Sequence, residues 1–193
     1  RACVDECVRQ LVAMGANHSC VILDTGSVKC WGRNTYGQLG LGDTAARGDA
    51  PNEMGDKLPT VQLGTGRTAR SLALGGDHSC ALLDNNTVKC WGYNMNGQLG
   101  QGSPTNRGDG ANEMGNNLPT VNLGTNRWAR SIVAGYNHTC ALLDDNTVKC
   151  WGHNTMGQLG QGDANARGDG ANEMGDNLAA INLGTNRWAR SIV

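Results

Sequence analysis

The chain has 193 residues, with Lys+Arg at 16 against Asp+Glu at 17 and a formal net charge of −1. That balance argues against nucleic acid or an anionic membrane as the main partner, since both demand a basic surface. No apolar run approaches the roughly 18 residues of a membrane span. Glycine is abundant, at 29 residues, and phenylalanine is absent, which predicts short strands and many turns in place of long helices.

Residues 1–13 read as an atypical N-terminal segment, or as the end of a preceding blade. Cys3 and Cys7 stand there, where later periods have Leu63 and Arg67. After them the chain repeats itself. His18-Ser19-Cys20, His78-Ser79-Cys80 and His138-Thr139-Cys140 recur at a spacing of 60 residues. Cys30-Trp31-Gly32, Cys90-Trp91-Gly92 and Cys150-Trp151-Gly152 recur in the same phase, as do the three Gly-Gln-Leu-Gly runs that begin at Gly37, Gly97 and Gly157. Three units follow, at 14–73, 74–133 and 134–193, the last ending in the opening strand of a further unit.

In the last full period the strands read as Pro119–Leu123, Arg130–Ala134, His138–Leu143 and Thr147–Trp151. A Gly- and Asn-rich loop runs from Gly152 to about Asn177, with a helical turn near Asn172-Glu173-Met174. Four short strands per unit predict an all-β fold of propeller blades, each a four-stranded antiparallel sheet. Three such units are too few to close a propeller, so an open arc of a larger one is expected, in which more chain or another subunit covers the end faces.

Each unit carries one C-x9-C pair. A tight turn makes the two cysteines face each other across the hairpin, at a separation that suits a disulfide. A zinc site wants closer pairs, and a free buried thiol is the remaining alternative. Threefold recurrence favours Cys20–Cys30, Cys80–Cys90 and Cys140–Cys150 disulfides and an oxidising compartment. Cys3 and Cys7 pair with each other or outside the chain. If Cys80 faces Cys90, then Leu82 and Val88 share that face, while Ala81, Leu83 and Trp91 share the other. Both faces are then apolar, as stacked blades require. Lys89 shares the Trp91 face and is expected to send its amine to the rim.

The run from Gly75 to Gly102, with its Trp91-Gly92-x-Asn94-x-x-Gly97-Gln98-Leu99-Gly100 core, resembles the repeat of the regulator of chromosome condensation family, three times over. The resemblance implies propeller blades of four antiparallel strands. It also brings in nucleotide exchange on a small GTPase, the activity of the founding member. The paired cysteines make the repeats more similar to bacterial or extracellular members.

The repeated histidines, His18, His78 and His138, suit a structural role at a strand turn better than a metal ring on the propeller axis. Arg-Gly-Asp occurs at residues 47–49, 107–109 and 167–169. It reads as a repeat turn before it reads as an adhesion motif. Asp43, Asp49, Glu53 and Asp56, with Asp163, Asp169, Glu173 and Asp176, offer oxygens of the kind calcium takes, but their spacing matches no strict calcium loop. Asn17, Asn85 and Asn137 head glycosylation sequons. Trp31, Trp91 and Trp151 read as core aromatics, Trp128 and Trp188 less so, and His153 as a surface residue. No nucleophile elbow, phosphate loop or catalytic pair is present.

The expected function is therefore non-enzymatic, with no cofactor and no metal. The chain reads as a propeller-repeat module for protein–protein recognition, extracellular or at the cell surface. The alternative is a structural subunit of a surface filament or coat, assembled through exposed blade edges. Nucleotide exchange is the third reading, disfavoured by the cysteines.

Overall fold

The computed structural model describes residues 12–193. Their regular structure is nine strands and three single 3-10 turns. The strands are β1 (Val12–Met14), β2 (His18–Ile22), β3 (Val28–Gly32), β4 (Ala69–Leu74), β5 (His78–Leu83), β6 (Val88–Gly92), β7 (Ala129–Ala134), β8 (His138–Leu143) and β9 (Val148–Gly152). They form three antiparallel sheets in chain order, β1-β2-β3, β4-β5-β6 and β7-β8-β9. The β5–β6 turn shows why. Leu83 N–H bonds to Thr87 C=O, and Asn86, at φ 64°, takes the left-handed position that closes the hairpin. Asn tolerates that region better than most residues, and the matching positions are Gly26 and Asn146.

Register then decides which side chains meet. Cys80 lies opposite Cys90, Leu82 opposite Val88, and Ser79 opposite Trp91. One core cluster joins Cys20, Ile22, Val28, Cys30 and Leu39 of the first sheet to Leu72, Leu74, Ala81, Leu83 and Trp91 of the second. The next joins Cys80, Leu82, Val88, Cys90 and Leu99 to Ile132, Ala141, Leu143 and Trp151. At both joints the cystine face of one sheet thus receives the tryptophan face of the next. Alternation along each strand delivers both.

Three expectations need correction. The fourth strand is reduced to a single contact. Val61 bridges back to Val28, and Val121 N–H and Ile181 N–H bond to Val88 and Val148 C=O at 2.8 Å. The segment around Pro119 therefore attaches to the hairpin before it, not to the strand after it. Pro59 and Pro119 have no N–H to give a longer ladder. The Lys89 amine does not reach the rim. Lys89 is buried, and its Nζ donates to Gly115 C=O at 2.7 Å, at the start of the 3-10 turn Gly115–Asn117. Lys29 and Lys149 cap Gly55 and Gly175 in the same way. Burial pushes the Lys89 and Lys149 ammonium groups below their ordinary pKa. Finally, the helical turn expected near Asn172-Glu173-Met174 falls at Gly175–Asn177.

Candidate functional site

The joint between repeats accounts for most of the repeated motif. Asn34 folds the loop after β3: its Oδ1 accepts from Leu39 N–H at 3.0 Å, and its Nδ2 donates to Asp43 and Ala45 carbonyls. This delivers the Gln38 carbonyl to the next repeat, where it accepts from Ser79 Oγ at 2.8 Å and from Trp91 Nε1 at 3.0 Å. Gln98 C=O does the same for Thr139 and Trp151. A Cβ on Gly40 would sit 2.8 Å from Trp91 Nε1, and one on Gly37 would sit 2.2 Å from Asp109 N. In the first two Gly-Gln-Leu-Gly runs, at Gly37, Gly40, Gly97 and Gly100, glycine is thus required by close approach.

The repeated histidines complete the joint. His18 Nε2 lies 2.8 Å from Ser79 Oγ, and His78 Nε2 lies 2.9 Å from Thr139 Oγ1. Each hydroxyl spends its one proton on a glutamine carbonyl, so it accepts from histidine, and Nε2 carries the imidazole proton. Nδ1 of His18 and of His78 is then a buried lone pair without a partner. Burial lowers His18 to about 4. Burial, helped by the neighbouring His18 and His138, lowers His78 to about 3. Among the described residues no group of three or more His, Cys, Asp or Glu side chains is placed to hold a metal ion.

The remaining candidates are mostly occupied. Arg47 Nη2 reaches Asp43 at 2.6 Å and Arg167 Nη2 reaches Asp163 at 2.6 Å, while Arg107 bonds Gln101 at 3.2 Å. Asp109 and Asp169 pack their backbone against Gly37 and Gly97 of the preceding repeat. The second and third Arg-Gly-Asp triplets are therefore clamped against the preceding repeat, while Gly48 and Asp49 of the first are exposed. Glu173 accepts from the Gly168 and Gly170 amides and lies against Asp169, whose carboxyl is raised by burial and by that neighbour, while Asp176 accepts from Thr125. The Asn165 backbone N–H, with Arg167, holds the Asp163 carboxyl below its usual range.

Cys20–Cys30, Cys80–Cys90 and Cys140–Cys150 are disulfides, each with a Cα–Cα distance of 4.1 Å. Peptide mapping without reductant is expected to recover these three pairs; free thiols or pairs between repeats would refute the hairpin register. Cys3 and Cys7 lie outside the described residues. Asn17 and Asn85 are exposed and Asn137 is half-buried. Trp91 and Trp151 are fully buried, whereas Trp31 is part-exposed, because no earlier sheet among the described residues covers its face. Trp128 and Trp188 are exposed.

Several side chains that differ between repeats gather at one end of the arc. Arg33, Tyr93 and His153 N–H groups bond to Asn17, Asp77 and Asn137 carbonyls, which sets the post-β3 loops beside the turns that precede β2, β5 and β8. There the Tyr36 and Tyr93 rings lie 4.8 Å apart, Arg33 sits 5.4 Å above Tyr36, and Arg33 Nη1 lies 3.5 Å from Asp77. Met95, Tyr136 and Met156 stand exposed at the same end. The sequence reading missed this group. Its signal was the departure of Arg33, Tyr36 and Tyr93 from the repeat.

These features define a tandem-repeat, all-β propeller protein whose repeated residues build its joints. The Regulator of chromosome condensation (RCC1) repeat matches residues 8–38, 69–98 and 129–158 in one profile and 25–82 and 86–142 in another. The chain belongs to this repeat family. It is similar to the ultraviolet-B receptor UVR8 of Arabidopsis thaliana, at 31% identity over 155 residues, 79% of this chain and 31% of the receptor. It is similar also to the probable E3 ubiquitin-protein ligase HERC4 of Homo sapiens, at 32% over 152 residues, 77% of this chain and 13% of the ligase. Among solved structures it resembles Prp20p of Saccharomyces cerevisiae, described with its binding to Gsp1p and histones. The TM-score is 0.63 at 18% identity, over 91% of this chain and 38% of that one. The yeast RCC1 (Prp20) bound to Kap60 gives 0.60 at 19%, over 89% and 36%. The chain thus spans between 13% and 38% of the length of these proteins.

Proposed function

We propose that this chain is a non-enzymatic recognition module that docks a protein partner on the loop end carrying Arg33, Tyr36, Asp77 and Tyr93. The observation that carries the reading is the gathering there of aromatic, arginine and methionine side chains that do not recur from repeat to repeat. Such residues are enriched at binding hot spots because they desolvate a large area at small entropic cost. That Prp20p is described with Gsp1p, histones and Kap60 lends support, since those are protein partners of a similar propeller. The cystines in every repeat support an extracellular or cell-surface setting. The test is to recover a partner by cross-linking from the extracellular fraction of the source and measure its Kd. The double change Tyr36→Ala/Tyr93→Ala is expected to weaken binding about 5–30-fold, equivalent to about 1–2 kcal/mol. Trp128→Ala, at the opposite end, is expected to leave it unchanged. The reverse pattern would move the site to the other end of the arc.

A further inference from the structure

The second and third sheets each open with an irregularity. In β4 the register slips between Ala69 and Ser71, and in β7 between Ala129 and Ser131, so Arg70 and Arg130 are the extra residues of two β-bulges. A bulge turns its side chain out of the regular pleat and re-aims it. Both arginines are exposed, and each donates Nη1 to an asparagine Oδ1 in the turn of its own sheet's hairpin, Asn86 for Arg70 and Asn146 for Arg130. Both asparagines hold the left-handed position of that turn, at φ 64°. These acceptors are neutral. The neighbouring arginines are neutralised: Arg67 lies 3.2 Å from Asp84, and Arg127 lies 2.8 Å from Asp144 and 3.1 Å from Asp145. Among the described residues no carboxylate is within ion-pair reach of Arg70 or Arg130. Each guanidinium is therefore anchored by one arm, uncompensated in charge, and left with donors to spare.

The fold brings the two arginines to one place. Ala129 N–H bonds to Asn86 C=O at 3.2 Å, which lays the start of β7 on the β5–β6 turn. Arg70, Asn86, Trp128 and Arg130 thus line one cleft of about 380 Å³, together with Asp144. Asp144 is already engaged, by Arg127 and by the Trp128 backbone N–H at 3.2 Å. Trp128 is 47% exposed and stands where the preceding repeat has Thr68, so no joint calls for an aromatic there. An exposed indole stacks flat apolar faces, and a guanidinium fork takes a carboxylate two bonds at a time. A sugar acid offers both, a C–H face on its ring and a carboxylate beside it. We propose that this cleft binds an acidic polysaccharide, with a uronate ring on Trp128 and carboxylates on Arg70 and Arg130. The arrangement recurs, which favours a polymer over a single small anion. Ala189 N–H bonds to Asn146 C=O at 3.1 Å and lays Trp188-Ala189-Arg190 on the turn that holds Arg130. A linear polyanion whose charges repeat as the sites do gains by avidity. The net charge of −1 belongs to the whole surface, whereas a ligand in the cleft feels the charges within about 10 Å. The inference is independent of the loop-end reading above, since Tyr36 and Tyr93 take no part in it.

Calorimetric titration of the unchanged chain with hexagalacturonate, an oligomer of uronic acid, is expected to show binding at low ionic strength that weakens as salt is added. The fully methyl-esterified oligomer keeps the rings and loses the charges, and is expected to bind about tenfold more weakly or worse. Arg130→Gln and Trp128→Ala are each expected to weaken hexagalacturonate binding about tenfold, with the thermal transition unmoved because both side chains are exposed. Asn86→Gly tests the anchoring of Arg70. Glycine already holds the matching left-handed position at Gly26, so the turn is kept while the guanidinium is released, and a smaller loss is expected. The Tyr36→Ala/Tyr93→Ala chain is expected to bind the oligomer as the unchanged one does. Absence of hexagalacturonate binding at low ionic strength would overturn the inference. So would equal affinity for the methyl ester, or binding that neither Arg130→Gln nor Trp128→Ala weakens. Hexaglutamate bound as tightly as hexagalacturonate would also overturn it, and would make the cleft a site for acidic peptide.

Discussion

Replacing Trp91 by alanine is expected to destabilise the fold by about 3–5 kcal/mol, the range for an aromatic side chain removed from a close-packed core. The indole is fully buried in the first inter-sheet cluster, with Leu39 behind it and Gly40 against its edge. Its N–H shares the Gln38 carbonyl with Ser79 Oγ, so truncation opens a void and breaks one arm of a two-armed joint. Domains of this size have about 5–15 kcal/mol of stability in all, so the loss is a large fraction. Trp31→Ala serves as the control. The same residue type in the same motif lies on a part-exposed face with no acceptor among the described residues, and its loss is expected to cost clearly less. Denaturant melts with unchanged m-values would read both changes. A Trp91→Ala cost below about 1 kcal/mol would mean that the tryptophan face is not a packed joint.

The architecture was legible because it is written three times. Alternation around Cys80–Leu83 and Val88–Trp91 predicts two apolar faces, and the register that pairs Cys80 with Cys90 follows from the tight turn alone. What the sequence did not display is which repeat each segment serves. Val121 lies near β7 in the chain yet bonds to Val88, because the long loop swings back across its own hairpin before the chain moves on. Lys89 misled for a related reason. Its alternation places it correctly on the tryptophan face, but its amine finds the Gly115 carbonyl 26 residues away, a partner that no local pattern announces. The joint formed by Gln38, Ser79, Trp91 and His18 was hidden altogether, since its members come from different repeats. Recurrence marked each as structural without saying what it touched. The loop-end cluster escaped for the opposite reason, because Arg33, Tyr36 and Tyr93 are the residues that do not recur.

The joint also sets how the fold responds to acid. His18 and His78 donate through Nε2 to Ser79 and Thr139, and in each ring Nδ1 is buried without an acceptor. A second proton would have to enter there, so burial holds His18 at about 4 and His78 at about 3, against an ordinary value of about 6.5 in the unfolded chain. A histidine whose folded pKa is depressed contributes its stability in full above the unfolded pKa. That contribution is lost as pH falls, because the unfolded chain takes up protons that the folded one refuses. The loss therefore begins near pH 6.5, above the range in which most carboxylates titrate. By pH 5 it amounts to about 2 kcal/mol for each of the two histidines. His138 is lowered by burial and by His153, and adds in the same direction. Chemical denaturation at pH 7, 6 and 5 is expected to show stability falling by about 4 kcal/mol across the interval. In His78→Gln, which removes one of the two sites, the fall is expected to shrink by about half, whatever the variant's stability at pH 7. The slope isolates the proton linkage from the packing lost with the ring. A wild-type chain equally stable at pH 7 and pH 5 would mean that the imidazoles are hydrated in the folded state, and that the inter-repeat hydroxyls are not what they grip.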